Sequence, residues 1–192
     1  MRPILSLEAE MHTAPIRGAT VDRFGKMLVT VSNDKTARLW ALSTGELIRV
    51  LRPEIGGGSE GKLFAVAISP DARFVATGGS TGFERDHTSS FYIFETLTGR
   101  LVRRVGGLPE VVNRLAWSPD GRYVAAGLLG ANGVRVFETN EWREVWRDAD
   151  YLGPVYGLAF DDAGRLAATA FDGNIRLYNP NLRAVAEIKA AG

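Results

Sequence analysis

A turn-forming phrase recurs four times along this chain, and its period constrains the fold more than any other feature. It reads Asp22-Arg23-Phe24-Gly25-Lys26, then Ser69-Pro70-Asp71-Ala72-Arg73, then Ser118-Pro119-Asp120-Gly121-Arg122, and last Asp161-Asp162-Ala163-Gly164-Arg165. The equivalent turn positions are 25, 72, 121 and 164, so the spacings are 47, 49 and 43 residues. A period of roughly 40–50 residues marks stacked or radial supersecondary units instead of one irregular core. Arrays of that kind build extended surfaces for other molecules.

Each unit divides in the same way. Short apolar or alternating runs are separated by Gly, Pro, Asn, Asp and Ser, and no segment sustains a 3.6-residue apolar period. That pattern predicts an all-β chain with tight turns. Four strands per unit, a to d, are expected at 16–21, 27–32, 37–42 and 46–51; at 63–69, 74–78, 90–95 and 100–105; at 111–117, 123–127, 134–138 and 143–147; and at 155–160, 166–170, 175–179 and 184–189. Asp71-Ala72, Asp120-Gly121 and Ala163-Gly164 turn the chain between strands a and b, and Thr44-Gly45, Thr98-Gly99 and Asn140-Glu141 between c and d. Strand c ends apolar-basic-apolar-aromatic: Ala37-Arg38-Leu39-Trp40, Val134-Arg135-Val136-Phe137 and Ile175-Arg176-Leu177-Tyr178, with the variant Phe91-Tyr92-Ile93-Phe94. Alternation sets the basic residue on the face opposite its apolar neighbours, and the arginine-bearing faces are expected to be solvated. Trp142 and Trp146 are expected to share one face of the outer strand of the third unit and to pack on their own sheet.

Composition narrows the function. The formal net charge is +1 and basic residues form no block, so the stripe of phosphate-contacting residues that nucleic-acid binding needs is not expected. The chain has no cysteine, which removes disulfides, thiolate metal sites and cysteine nucleophiles. No apolar run approaches the roughly 18 residues of a membrane span. Met1-Arg2-Pro3 leads straight into Ile4-Leu5-Ser6-Leu7 with no signal-like stretch. A cytoplasmic protein is the expectation.

The repeats resemble the WD-repeat family of β-propellers, from about residue 12 to residue 189. The resemblance implies four four-stranded antiparallel blades, at about 12–51, 62–106, 110–148 and 154–190, in a single propeller segment covering 1–192. It also implies a structural tetrad in the first repeat: His12 before strand a, Thr30 in strand b, Asp34 in the b–c turn and Trp40 in strand c. The other repeats depart from that pattern. The fourth has Thr169 and Asp172 but Tyr151 and Tyr178; the third has Leu108, Ala126 and Phe137; the second is interrupted between strands b and c. Pro3–Leu7 looks like a spare outer strand, which implies a ring larger than four blades, completed by further blades or by self-association of two copies. The wording of the repeats also resembles bacterial WD-repeat arrays attached to caspase-like peptidase or NTPase domains.

No catalytic constellation emerges. His12 and His87 are the only histidines, too few for a histidine metal cluster, and no nucleophile–His–carboxylate arrangement has a spacing logic. Gly56-Gly57-Gly58-Ser59-Glu60-Gly61-Lys62 nearly matches a phosphate-binding loop, but Leu63 follows where Ser or Thr is needed, and a strand follows in place of a helix. The Asp161-Asp162 and Glu84/Asp86 pairs lie in turns. No cofactor or metal is implied, and an enzyme with its site at the axis of the ring is the least favoured class. In the family, d–a and b–c loops emerge at one end. The two enlarged ones, Arg52–Lys62 and Gly79–Ser89, therefore land side by side at the second blade. Arg52, Glu54, Phe83, Arg85 and His87 are the expected contacts for a protein or peptide partner, with Tyr151 and Phe171 adding aromatic contacts from the fourth blade. The sequence thus predicts a non-catalytic protein-binding scaffold, or else a sensor array serving a separate catalytic domain.

Overall fold

A computed structural model of the chain describes residues 10–179 and 181–189, and of Arg85 and Val185 only the backbone. The expected spare strand, Pro3–Leu7, lies outside the described residues. Among the described residues, sixteen strands form four four-stranded antiparallel sheets, each in simple sequential order. The first holds β1 (Ile16–Val21), β2 (Met27–Ser32), β3 (Ala37–Ala41) and β4 (Leu47–Leu51). The second holds β5 (Lys62–Ile68), β6 (Phe74–Ser80), β7 (Ser89–Glu95) and β8 (Leu101–Leu108), with a one-turn helix, α1 (Phe83–Asp86), between β6 and β7. The third holds β9 (Val112–Trp117), β10 (Tyr123–Leu128), β11 (Val134–Glu138) and β12 (Glu144–Asp148). The fourth holds β13 (Val155–Phe160), β14 (Leu166–Ala170), β15 (Ile175–Tyr178) and β16 (Ala184–Ile188). The strands fall where alternation and turn chemistry set them, save that β8 runs on to Leu108.

The recurring phrase folds the same way each time. Its side chains satisfy backbone N–H groups that a tight turn leaves without ladder partners. Asp22 Oδ1 accepts from the N–H of Lys26 at 2.7 Å and of Met27 at 2.6 Å. In the second and third sheets a serine does this, and an aspartate holds the serine. The Ser69 and Ser118 hydroxyls each donate to their aspartate at 2.6 Å and accept a backbone N–H at 2.9 Å. Asp161 closes the fourth copy through the N–H groups of Ala163 and Arg165. One residue in each turn is left-handed: Gly25, Ala72, Gly121 and Gly164. Register irregularities repeat as well. All four c–d pairs shift one residue before the last aromatic of strand c, at Leu39/Trp40, Ile93/Phe94, Val136/Phe137 and Leu177/Tyr178. A bulge there adds local twist.

The sheets pack face to face in chain order, with one apolar layer between each consecutive pair. Val29, Val31, Ala37 and Leu39 of the first sheet meet Leu63, Val75, Tyr92 and Phe94 of the second. The second sheet's Ala76, Phe91 and Ile93 meet Val112, Val124, Ala126 and Phe137. Ala125, Val134 and Val136 of the third meet Val155, Leu166, Ala168 and Tyr178 of the fourth. The aromatic that ends strand c in the second, third and fourth sheets therefore always points back to the preceding sheet. Gly127 is where β10 and β13 touch: a Cβ there would stand 2.6 Å from Val155 Cγ1.

Two expectations about side chains are corrected. Arg38, Arg135 and Arg176 are not on solvated faces. Arg38 is 2% exposed, and the Arg135 and Arg176 side chains are also largely covered, paired with Glu144 and Asp172. Over Arg176 lies the chain leading into its sheet, through the Asp150 carbonyl and the Tyr151 ring, so the alternation was right and the identity of the wet face was not. Trp142 does not belong to β12. It sits in the c–d turn at φ +59°, and its ring packs edge-on against Trp117 and Phe91. The bulge at Val136/Phe137 shifts the start of the outer strand to Glu144, so Trp142 and Trp146 face different interfaces.

Candidate functional site

The b–c and d–a connections leave the sheets at the same end, and at the second sheet both are long. The loop after β4 carries Gly56–Gly58, and the loop after β6 carries α1. Glycine alone would leave the first of them without a fixed path. It is fixed by side chains. The Gly57 N–H donates to Glu84 Oε1 at 3.0 Å, and the Gly82 N–H donates to the Glu60 carboxylate. From the first sheet, Lys35 Nζ donates to the Gly56 carbonyl at 2.8 Å. The two loops thus exchange carboxylate–backbone bonds in both directions.

Beneath them lies a charged chain. Arg104 on β8 forks to Asp86 at 2.9 and 3.2 Å, donates to the Gly82 carbonyl at 3.1 Å, and approaches Glu54 at 3.5 Å. Tyr92 Oη donates to Glu54 at 3.1 Å. The Arg104 guanidinium, with a hydroxyl donor from Thr88, holds the Asp86 carboxyl well below the usual carboxylate range. Burial is the main cause that pushes the Tyr92 phenol up to about 12, so at neutral pH it stays protonated and donates. The planar, two-pronged pair with Asp86 is the geometry arginine suits best, and the approach to Glu54 reaches the other loop.

On this frame Phe83 is 55% exposed, with its ring edge-on to exposed His87 at 5.5 Å. Arg52 and Glu54 are exposed at the start of the first loop, and Glu54 joins the charged chain. Arg85 lies in α1, and its side chain is outside the described residues. Phe171, 69% exposed, is in the turn after β14 of the fourth sheet, beside Tyr156 at 6.5 Å, with the third sheet between it and the enlarged loops. Tyr151 must be corrected: it is 3% exposed, so it offers no aromatic contact to a partner. Its hydroxyl is 2.9 Å from that of Tyr178, which donates to Asp148 at 2.7 Å, and the Arg176 guanidinium lies 4.1 Å above its ring. Burial pushes the Tyr151 phenol up to about 12. Sequence reasoning missed Glu60 and Glu84, whose partners are backbone groups of another loop, and Arg104, whose main partner is the Asp86 carboxylate. The only signal was Tyr92, standing where the other repeats carry arginine.

The first sheet carries a different polar chain. The Trp40 indole donates to Thr30 Oγ1 at 2.8 Å, Thr30 is 2.7 Å from His12 Nε2, and His12 Nδ1 is 2.8 Å from Asp34 Oδ2. An indole only donates and a carboxylate only accepts, so the ends of the chain are fixed: Trp40 donates to Thr30, and Asp34 accepts from His12. Burial would raise the Asp34 carboxyl, but donors from Thr36, His12 and the Thr13 N–H outweigh it and hold the group below its ordinary value. Among the described residues, no group of three or more His, Asp or Glu side chains has the arrangement of a metal site, and no helix is long and apolar enough to cross a membrane.

Residues 2–41, 100–138 and 149–179 match the family model described as WD domain, G-beta repeat. The chain belongs to the WD-repeat family. WD repeat-containing protein SL1-17 of Schistosoma mansoni is 28% identical over 163 residues, 85% of this WD-repeat chain and 50% of that protein. Eukaryotic translation initiation factor 3 subunit I of Scheffersomyces stipitis is 29% identical over 144 residues, 73% of this chain and 37% of that protein. Kinesin-like protein KIF21B of Mus musculus is 28% identical over 167 residues, 78% of this chain and 9% of that protein. The chain therefore spans half or less of the length of these relatives. Between the first two matched segments lie both enlarged loops.

Proposed function

We propose that this WD-repeat chain is a non-catalytic scaffold that binds a protein or peptide through the enlarged loops of the second sheet. The observation that carries the reading is the mutual pinning of those loops by Glu60, Glu84 and Arg104. It holds exposed Phe83 on an ordered support, and a rigid aromatic anchor loses little entropy on binding. Arg52, Glu54, Arg85 and His87 supply the polar rim. Phe171 is a separate, smaller contact on the fourth sheet. The hydrogen-bonded chain from His12 to Trp40 has a supporting role: it gives buried polar groups their partners and holds the first sheet beside the site.

The experiment is affinity capture with the intact protein, followed by titration of the identified partner against the double variant Phe83→Ala/Arg85→Ala. Loss of more than about 2 kcal/mol is expected if these residues are anchors. Unchanged affinity in a variant that melts like the parent would remove this patch from consideration.

A second reading, an array within a larger protein that bears a separate catalytic domain, is favoured by one observation. The similarity to the kinesin-like relative covers 9% of that protein, so repeats of this kind occur inside much longer chains. Sequencing the gene on both sides of this segment tests it.

A further inference from the structure

The end of the sheets opposite the enlarged loops holds a second candidate site. There the a–b turns of the first three sheets surround a cavity of about 600 Å³, within the roughly 300–1,000 Å³ typical of ligand sites. Phe24, Phe74, Trp117 and Trp142 line it. Trp117 and Trp142 meet edge to face at 5.9 Å. The left-handed backbone of Trp142 stands where the first two sheets use Gly45 and Gly99. A bulky residue held there costs on the order of 1–2 kcal/mol. The turn itself does not require it, since glycine serves in the first two sheets, while the fourth holds Leu182 at φ +59°.

Hydrogen-bond accounting sets the charge of the ligand. Asp71 Oδ1 accepts from the Ser69 hydroxyl at 2.6 Å and the Arg73 N–H at 3.1 Å. Asp120 accepts from the Ser118 hydroxyl and from both the N–H and the guanidinium of Arg122. The carboxylates are thus engaged within their own turns. Arg23 also lines the cavity. Its guanidinium lies over the Phe24 ring at 5.3 Å, and among the described residues it makes no ion pair. Arg23 is the cationic donor left over at the rim, and Asn140 adds a neutral amide.

We propose that this cleft binds a short acidic peptide segment, seating one bulky apolar or aromatic side chain among the four rings and pairing a neighbouring carboxylate with Arg23. The path for the rest of the segment is present. A second cavity of about 540 Å³ runs along the first strands of all four sheets and shares Arg23, Ser69, Pro70, Trp117 and Pro119 with the first. The site stands apart from the loop patch of the second sheet, and either can fail without the other.

The test is a selection of random short peptides displayed on phage against the intact protein. Each selected peptide is then labelled and titrated by fluorescence anisotropy. The expected binders carry an aromatic or large aliphatic residue next to Asp or Glu. Trp142→Gly, which suits the left-handed backbone, should weaken them at least about tenfold. Arg23→Glu, a change at an exposed position, should weaken them by at least as much, and Phe83→Ala should leave them unchanged. Thermal melts establish that both cleft variants are folded. Selection of basic peptides, of peptides without an apolar residue, or of none at all would overturn the proposal. So would binding that survives both cleft variants.

Discussion

The close approach of β10 and β13 at Gly127 gives a quantitative test of how the array is held together. In Gly127→Ala the new Cβ would stand 2.6 Å from Val155 Cγ1 and 3.0 Å from Val155 Cβ. Carbon atoms in good contact are about 3.5–4.0 Å apart, so the overlap is close to 1 Å. Val155 is fully buried, with Val134 and Leu166 in the same layer, so it has no room to retreat. Overpacking of this kind costs about 1–3 kcal/mol. Replacing a strand glycine by alanine recovers about 0.5–1 kcal/mol of backbone entropy. The net expectation is a loss of about 1–2 kcal/mol, measured as a shift in urea midpoint followed by tryptophan fluorescence. Val155→Ala alone should cost about 1–3 kcal/mol. Added to Val155→Ala, however, Gly127→Ala should be close to neutral, because the Cγ1 atom at 2.6 Å is gone and only the 3.0 Å approach to Cβ remains. The coupling of about 1–2 kcal/mol is within the range for residues in contact. If the two costs simply add, glycine is not there to let the sheets approach, and the reasoning fails.

Three further outcomes are expected. Ala72 holds φ +59° where the other three copies of the turn have glycine, so Ala72→Gly should raise stability by about 0.5–1 kcal/mol in denaturant titration. Arg176 holds the Asp172 carboxyl below its ordinary value; that stabilisation is present at neutral pH and fades as pH falls through about 4 and below, so Asp172→Asn should flatten the acid limb of a midpoint-versus-pH curve while lowering stability at pH 7. Glu84→Ala should speed amide hydrogen exchange at Gly57 and in the loop around it without shifting exchange in β5–β8, because the carboxylate fixes the loop and not the sheet.

The fold was legible because its determinants are local. Turn chemistry at Asp22, Ser69, Ser118 and Asp161 marks every a–b hairpin, and alternation marks the strands between. What lay beyond local reading was the environment created by the neighbouring sheet. Arg176 looks like a surface residue in a strand pattern and is covered by the chain that leads into its sheet at Asp150 and Tyr151. Tyr151 looked like a loop aromatic and is instead a member of a buried hydroxyl chain, since its partners Tyr178 and Asp148 come from two other strands. At the candidate site, loop lengths pointed to two connections that the structure brings into contact. The pinning by Glu60 and Glu84 was not visible, because backbone acceptors and donors carry no sequence signature. Trp142 was misassigned for a related reason: left-handed turn positions are read from glycine, and here a tryptophan occupies one.

The direction in which the aromatic of strand c points has a consequence for how such a chain changes over time. Each interior sheet offers one kind of face forward and another kind backward, and every junction joins the same two kinds. A duplicated sheet with its connecting loop would find both of its faces already matched by the neighbours it lands between. Repeat number can therefore change by copying a segment, while novelty is confined to connections, as at the second sheet, that take no part in the junctions.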